Sequence, residues 1–235
     1  MNPNRLTILV ATAFLAALTV GGALALHLGP FASSDRGTVI ATVDGAPIYL
    51  VDAGSRARGL LTMHGSLPDS MGVGWHDEVL RSLVDDEILR REGERRGLLP
   101  TDQEVASEVL RLQQMFSSLD EYQSWLTGQQ IDQAELERRI SMQLLASRVY
   151  DAVTENVPVS EGQLHAYFDA NHGSLFGADG APATFSQARP TVLRQVEQDL
   201  RDQAYATWRD EQRRTAQVVV LIDDWWTSIE RSISG

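Results

Sequence analysis

The chain contains neither cysteine nor lysine, so all 20 of its basic residues are arginine. Without cysteine it cannot form a disulfide, a thiolate zinc site, a cysteine nucleophile or a lipidated N-terminal cysteine. Without lysine it cannot form a Schiff base or a Walker-type phosphate-binding loop. The G-x-S-x-G, H-E-x-x-H and G-x-G-x-x-G patterns are also missing from the sequence. These absences remove several large classes of enzyme.

Positive charge is scarce, since 20 arginines face 32 acidic residues and the formal net charge is −12. Because phosphate contacts by basic side chains supply most of the non-specific affinity for nucleic acid, we expect no nucleic-acid partner. An acidic body also repels anionic membrane surfaces and weakly attracts basic partners. Hydrophobic residues make up 43% of the chain, which is enough for a real core.

Charged residues are absent from residues 6–34, and the strongly apolar part of this stretch covers residues 6–28. That length is enough for a helix to cross a bilayer, which takes about 20 residues. Two interpretations remain open for residues 1–28: an uncleaved anchor in the inner membrane, or a signal peptide cleaved near Ala23-Leu24-Ala25. Both predict that the remaining chain lies outside the cytoplasm, on the periplasmic or cell-envelope side, after a linker at residues 29–37.

Two short β-branched runs flank the rest of the chain. We expect strands near residues 38–43 and 217–222, and each strand needs a partner for its backbone groups. Because the sequence offers few other strands, the two runs are predicted to pair with each other in a small antiparallel sheet. After the first run, the turn signal Asp44-Gly45 predicts that Pro47-Ile48-Tyr49 returns as a brief strand.

Between these runs apolar residues recur at helical spacing, which predicts a mostly α-helical protein. A helix is expected over Trp75–Arg96, and a final long helix from about Arg189 or Pro190 to Arg214, with Pro190 in its first turn. Residues 173–184 show no periodicity and are predicted to form a loop. Helix starts are indicated by capping residues at Thr101, Ser118, Asp132 and Ser160.

Four ordered segments resemble the SurA N-terminal chaperone domain of exported folding factors. Ala41–Ile48 is similar to the V-N-G-x-P-I opening of that family, and Val79–Leu89 to its L-x-x-L-I-x-x-x-L-L helix. Arg95–Val105 resembles the A-x-x-x-G-I-x-V-T-D-E-E-V turn, and Phe116–Leu136 the stretch that begins F-x-S-x-E-E-F. The resemblance spans residues 38–172 and resumes at 185–222, and it implies one helical chaperone domain over residues 38–222, followed by a tail at 223–235.

The sequence departs from this family at one place. Many relatives carry a parvulin-type prolyl isomerase domain between the equivalents of the helix that begins at Ser160 and the last long helix. Such a domain needs about 90 residues, far more than residues 173–184 can supply. The resemblance therefore implies a chaperone module without the isomerase, and we expect the protein not to be an enzyme.

Flexible thioethers and aromatic rings suit promiscuous binding of unfolded segments. Residues of these types lie near predicted helix ends in the first half of the chain and are candidates for binding client polypeptides. For any one of them, a place in the ordinary core is the favoured alternative. The candidates are Met63, Met71, Met115, Phe116, Tyr122 and Trp125.

Other chemical groupings carry less weight. His165, Asp169 and His172 have helical spacing that could place three metal ligands on one face, but they lie off the apolar stripe and are expected to be solvated. The acid pair Asp85-Asp86 is expected on a solvated helix surface. No catalytic residue, metal ligand or cofactor is predicted.

These observations favour an extracytoplasmic, non-catalytic chaperone-like protein that binds unfolded or nascent exported polypeptides. Two alternatives remain: an adaptor dedicated to the assembly of one envelope partner, and a divergent prolyl isomerase. The oligomeric state and the clients are not determined by the sequence.

Overall fold

The computed structural model describes residues 37–64, 74–176 and 181–233. The chain is mostly helical, with a small antiparallel sheet, as predicted. The strands are β1 (Val39–Val43), β2 (Ala46–Tyr49) and β3 (Val218–Val220). The helices are α1 (Leu50–His64), α2 (Trp75–Arg96), α3 (Asp102–Gln113), α4 (Leu119–Gly128), α5 (Gln133–Thr154), α6 (Glu161–Asn171), α7 (Phe185–Thr215) and α8 (Trp226–Ile233).

These elements divide into two compact units. The first unit contains the described residues up to Val149 and those from Thr215 onward. The second unit is Tyr150–Arg214. The sheet belongs to the first unit, which also contains α1–α4, most of α5 and α8.

The predicted pairing of the two β-branched runs is confirmed. The strand order is β2-β1-β3, and both pairings are antiparallel. Between β1 and β2 the chain turns at Asp44 and Gly45, whose φ angles are 49° and 87°. Positive φ at both central residues is typical of the type I′ turn, whose twist matches that of the flanking strands, and Asp-Gly is a favoured sequence for it. The brief return strand is thus confirmed as β2.

The helix α2 is buried on several of its faces. Five consecutive residues in its middle turns are buried, so other parts of the protein cover this helix on every side there. They are Ser82, Leu83, Val84, Asp85 and Asp86. The expectation that Asp85-Asp86 lies on a solvated surface is therefore wrong, since both residues are only 2% exposed. A helix that is covered on several faces buries polar residues too, and these need partners.

One partner comes from α1. The Arg56 guanidinium forms an ion pair with the Asp86 carboxylate, and both side chains are largely buried. An amphipathic pattern read along one helix could not reveal this pair, because the two residues are 30 positions apart. The pair allows α1 to cross a face of α2 that the sequence pattern assigned to solvent.

Close approach is also visible between α2 and α5. A methyl group added at Gly93 would overlap the Leu145 side chain, which is fully buried. Glycine at this position therefore allows the two helices to pack without a gap. The last helix packs in this unit as well: the Trp225 ring contacts Trp75 at 6.1 Å between centroids, and Trp226 stacks on His76 at 4.1 Å.

The predicted starts of α3 and α6 are confirmed, and each is formed by a capping box. At Thr101 the hydroxyl accepts the Glu104 N–H, and the Glu104 carboxylate accepts the Thr101 N–H. Ser160 and Gln163 form the same reciprocal arrangement at the start of α6. These side chains satisfy backbone donors that have no partner inside the helix.

The second unit is built from the end of α5 together with α6 and α7. Its hydrophobic core is the buried set Leu164, Ala183, Ala188, Val192 and Val196. At its other end, the Tyr150 hydroxyl donates to Asp202 over 2.8 Å, and the Arg201 guanidinium lies over the Tyr150 ring.

The predicted start of the last long helix is wrong by about one turn. The helix α7 begins at Phe185, so Pro190 lies inside it and not in its first turn. The reason is local: Thr184 and Gln187 form a capping box, with the Gln187 amide oxygen accepting the Thr184 N–H at 2.8 Å. The buried residue Ala188 extends the apolar stripe of α7 to a point before the proline.

The loop before α7 is short, as expected. After the 3₁₀ turn His172–Ser174, Phe176 and Pro182 form a single antiparallel bridge, and the Ala183 N–H donates to the Leu175 carbonyl at 2.9 Å. Part of the predicted loop, residues 177–180, lies outside the described residues.

The predicted N-terminal anchor or signal peptide also lies outside the described residues. Among the helices that are described, none is both long enough and apolar enough to span a bilayer.

Candidate functional site

Four of the six candidate residues come together where α3 leads into α4. Met115 and Phe116 lie in the connection between these helices, and Tyr122 and Trp125 lie one helical turn apart on α4. Met71 lies outside the described residues, and the structure describes no side chain for Met63. The juxtaposition follows from the sequence, because Ser118 caps α4 and so fixes which face of the helix carries the two rings.

The three aromatic rings contact one another. Phe116 lies 5.5 Å from Tyr122 in an edge-on arrangement and 5.4 Å from Trp125, measured between ring centroids. Tyr122 and Trp125 are stacked at 6.1 Å. Such pairs contribute about 0.5–1.5 kcal/mol beyond the area that they bury.

These rings lie in a core, which we call the α3–α5 cluster. Tyr122 is 3% exposed, and Phe116 and Trp125 are each 8% exposed, while Met115 is only partly buried. The three rings are therefore packed as core residues, and Met115 is the most accessible of the four candidates whose side chains the structure describes. The buried members are Val109, Leu112, Phe116, Tyr122, Trp125, Leu126, Leu136 and Ile140.

The polar atoms of the cluster differ in whether they have hydrogen-bond partners. The Tyr122 hydroxyl donates to the Gln133 side-chain oxygen at 2.7 Å, and the Gln133 amide donates to Glu137 at 2.9 Å. Burial raises the pKa of the Tyr122 phenol. The Trp125 indole N–H, in contrast, is buried and has no hydrogen-bond acceptor among the described residues. A buried donor without a partner costs about 1–3 kcal/mol, so this part of the core is not fully optimised for stability.

Exposed leucines on the same helices were missed by the sequence reasoning. Leu110 on α3 and Leu119 at the start of α4 are more than half exposed. A signal was available for Leu110, which lies off the apolar stripe of α3, whereas Leu119 lies on the stripe of α4 and is exposed as the first residue of that helix. An apolar side chain off the stripe has no place in the core and is left in solvent.

The strand β3 was predicted to pair, but its exposure was not predicted. Val218, Val219 and Val220 are 40%, 42% and 41% exposed, and Leu221 is 55% exposed. In the middle strand β1, by comparison, Ile40, Ala41 and Val43 are completely buried. A run of consecutive exposed β-branched residues is unusual for a strand, so β3 is a candidate interaction surface.

Ligand chemistry is not indicated in the part of the chain that the structure describes. His165, Asp169 and His172 are all exposed, as expected for a solvated face, and His165 stacks on Phe185 at 3.8 Å. No group of three His, Asp or Glu side chains among the described residues could hold a metal ion.

Comparison with known proteins identifies the fold. Residues 4–150 match a family model described as a SurA-like N-terminal domain. No curated protein matches the chain. One similar solved structure comes from a description of the virulence factor PEB4 and the periplasmic protein Cj1289 as two structurally related SurA-like chaperones of Campylobacter jejuni. The TM-score is 0.57 at 10% identity, and the match covers 79% of this chain and 100% of the other.

Proposed function

The chain belongs to the family of SurA-like N-terminal domains, and from that premise we propose that it is an extracytoplasmic chaperone that holds unfolded or extended segments of exported polypeptides. The family match over residues 4–150 is the observation that carries the proposal. The similar solved structure from Campylobacter jejuni, described as that of a SurA-like chaperone, also supports this proposal.

Exposed apolar side chains support a binding role. Leu110 and Leu119 are exposed on α3 and α4, two helices of the α3–α5 cluster, and the valines of β3 lie at the edge of the sheet. Shallow contacts of this kind bind weakly and reversibly, with dissociation constants on the order of micromolar. The net charge of −12 would keep a loaded complex soluble and favour basic clients.

We further propose that the protein acts without catalysis. The helices α6 and α7 end and begin at Asn171 and Phe185, so only residues 172–184 separate them. An isomerase domain of about 90 residues has no room there. In this proposal an N-terminal segment at residues 6–28 holds the protein at the inner membrane, or is removed after export.

The test of the chaperone function is suppression of aggregation. The full-length chain should slow the light scattering of several unrelated exported proteins diluted from denaturant. The double variant Leu110→Ser/Leu119→Ser should suppress less while unfolding at nearly the same temperature, since both side chains are exposed. Failure to protect any client would contradict the proposal.

Crosslinking in intact cells separates the chaperone from the dedicated adaptor. A photoreactive group at the exposed Leu119 should give many faint adducts, and the same group at the neighbouring exposed Asp120 should give fewer. One dominant stoichiometric adduct would favour the adaptor. Faster proline-limited refolding of a test protein would favour the isomerase, and we expect none.

A further inference from the structure

We propose that the outer edge of β3 binds an extended client segment as an additional antiparallel strand, and that a basic residue precedes the apolar stretch of that segment. The inference rests on the proposed chaperone function and names the surface and the chemistry of one class of client. It concerns the backbone groups of β3 as well as its exposed valines.

The hydrogen bonds between β1 and β3 determine which backbone groups of β3 are already used. The Asp44 N–H donates to the Gln217 carbonyl at 2.8 Å, and the Leu221 N–H donates to the Ile40 carbonyl at 2.8 Å. In an antiparallel pair, hydrogen-bonded positions alternate with positions that are not bonded to that partner. Residues 217, 219 and 221 are therefore the ones whose backbone groups face β1.

Val218 and Val220 consequently direct their N–H and C=O groups away from β1. Because the strand order is β2-β1-β3, no described strand lies on that side. Together these two residues offer two backbone N–H donors and two C=O acceptors along the outer edge of β3. An added antiparallel strand forms its hydrogen bonds with such groups. Both residues are about 40% exposed, so a client strand can reach them.

The opposite edge of the sheet, formed by β2, is protected against pairing with another strand, whereas the edge formed by β3 is not. Pro47 lies in β2 opposite Thr42, whose backbone groups face β3 by the same alternation. The backbone positions of Pro47 therefore face outward, and a proline has no N–H to offer there. Proteins commonly use proline or charge to block a sheet edge, but residues 216–222 contain neither.

Charge next to the open edge favours one type of client. Asp223 and Asp224 are exposed, and neither makes an ion pair with any described residue. They follow the strand, so in an antiparallel addition they lie beside the residues that precede the apolar part of the client. Basic residues at that position would be attracted to the two carboxylates.

The small size of the edge argues for a client and against a second copy. Three strand residues and Leu221 can bury only a few hundred Å², whereas a stable dimer buries about 1,600 Å². Two copies would also each bring a charge of −12. A weak, reversible contact with an extended segment fits both facts.

The test measures the affinity of the full-length chain for a fluorescent peptide of two arginines followed by alternating valine and threonine. Val220→Pro removes one outward N–H and leaves the bonds to β1 in place, so the peptide should bind about tenfold more weakly. Val220→Thr keeps the N–H and the branched shape, and should bind within about twofold of the unchanged protein. Thermal unfolding of both variants confirms that the sheet is retained.

A change in the peptide gives the same test without altering the protein. Methylation of two consecutive peptide nitrogens blocks both edges of the peptide and should weaken binding about tenfold. Moving the arginines to the other end of the peptide should weaken binding about threefold, and Asp223→Asn/Asp224→Asn should abolish that difference.

Several outcomes would overturn the inference. Equal peptide affinity for the unchanged protein and Val220→Pro would do so, as would an equal loss for Val220→Thr and Val220→Pro, which would point to side-chain hydrophobicity alone. A dimer of the full-length chain that Val220→Pro dissociates would assign the edge to a second copy. If Val220→Pro suppresses aggregation and binds the peptide like the unchanged protein, only this inference fails. If the unchanged protein suppresses no aggregation, the proposed function fails.

Discussion

The α3–α5 cluster and the strand β3 are two apolar regions of the first unit. Helices enclose the residues of the cluster, whereas β3 lies at the edge of a sheet. Phe116, Tyr122 and Trp125 are almost completely buried, whereas the three valines of β3 are each about 40% exposed. Composition alone ranks the aromatic residues as the better binding candidates. The structure makes the strand the more accessible surface.

The difference has a backbone origin. A helix satisfies its own N–H and C=O groups, so helices such as α3 and α4 can be packed on any side that carries apolar residues. An edge strand satisfies only half of its backbone groups and leaves the rest for water or for another strand. The exposed edge of β3 therefore offers backbone hydrogen bonds that set the direction of a bound strand. An exposed leucine on a helix offers only apolar contact.

The largest expected effect concerns the enclosed side of this comparison. Trp125→Ala should lower the free energy of unfolding by about 3–5 kcal/mol, because it leaves a cavity among the rings of the α3–α5 cluster. Urea denaturation measures the loss. Leu119→Ala on the same helix is the matched control and should cost less than about 0.5 kcal/mol. A loss below about 1 kcal/mol for Trp125→Ala would show that the cluster is loosely packed and open to clients.

Gly93→Ala tests how tightly the helical body is packed. In an exposed helix this change would add about 1 kcal/mol of stability. Here the new methyl group would overlap the buried Leu145 side chain, so we expect a loss of about 1–3 kcal/mol by urea denaturation. Gly128→Ala is the control, because nothing lies within 4 Å of the added methyl group, and it should cause no loss. A stabilising Gly93→Ala would contradict the close packing of α2 and α5.

The attachment of β3 to β1 should depend on pH. The Gln217 backbone N–H donates to the Asp44 carboxylate at 2.7 Å, and this bond, together with Arg91, lowers the pKa of Asp44 below its usual value despite some desolvation. A carboxylate with a lowered folded pKa contributes stability above the unfolded pKa and loses it as the pH falls through the folded pKa.

Asp44→Asn keeps the turn but cannot titrate. The unchanged protein should therefore exceed it in stability by less than about 1 kcal/mol at neutral pH. The difference should shrink as the pH falls below the usual value of 3.8 and disappear below the lowered folded pKa. Thermal unfolding across this range measures it. Arg91→Gln should retain most of the pH dependence, since the backbone bond is the larger cause; a constant difference at every pH would contradict this account.

The smallest effect is expected on the open side of the comparison. Val219→Thr should change the free energy of unfolding by less than about 0.5 kcal/mol, because the side chain is already partly in water. Val43→Thr, in the fully buried part of β1, is the matched control and should cost about 1–3 kcal/mol for its buried hydroxyl. Similar losses for the two variants would mean that β3 is covered in solution.

Much of the fold could be predicted because its signals are local. The capping box at Thr101 and Glu104 and the Asp44-Gly45 turn depend on residues within a few positions of one another, and the structure contains both. The start of α7 at Phe185 depends on the capping box of Thr184 and Gln187, a local signal that lies before the proline on which the prediction rested.

Predictions about the candidate site were more limited. The grouping of Met115, Phe116, Tyr122 and Trp125 follows from helical spacing and one capped turn, but their burial depends on α5, whose residues are distant in sequence. The burial of Asp86 likewise depends on Arg56, 30 positions away, and could not follow from the pattern of α2.

The sequence alone determined the helical periodicity, the two β-branched runs, the absence of cysteine and lysine chemistry and the short connection before α7, because each is a property of neighbouring residues. Only the tertiary structure decided which apolar residues are accessible. Burial is a property of what packs against a residue, so the same valines that mark β3 as a strand acquire their open edge only when β1 takes the middle of the sheet and Pro47 blocks its other side.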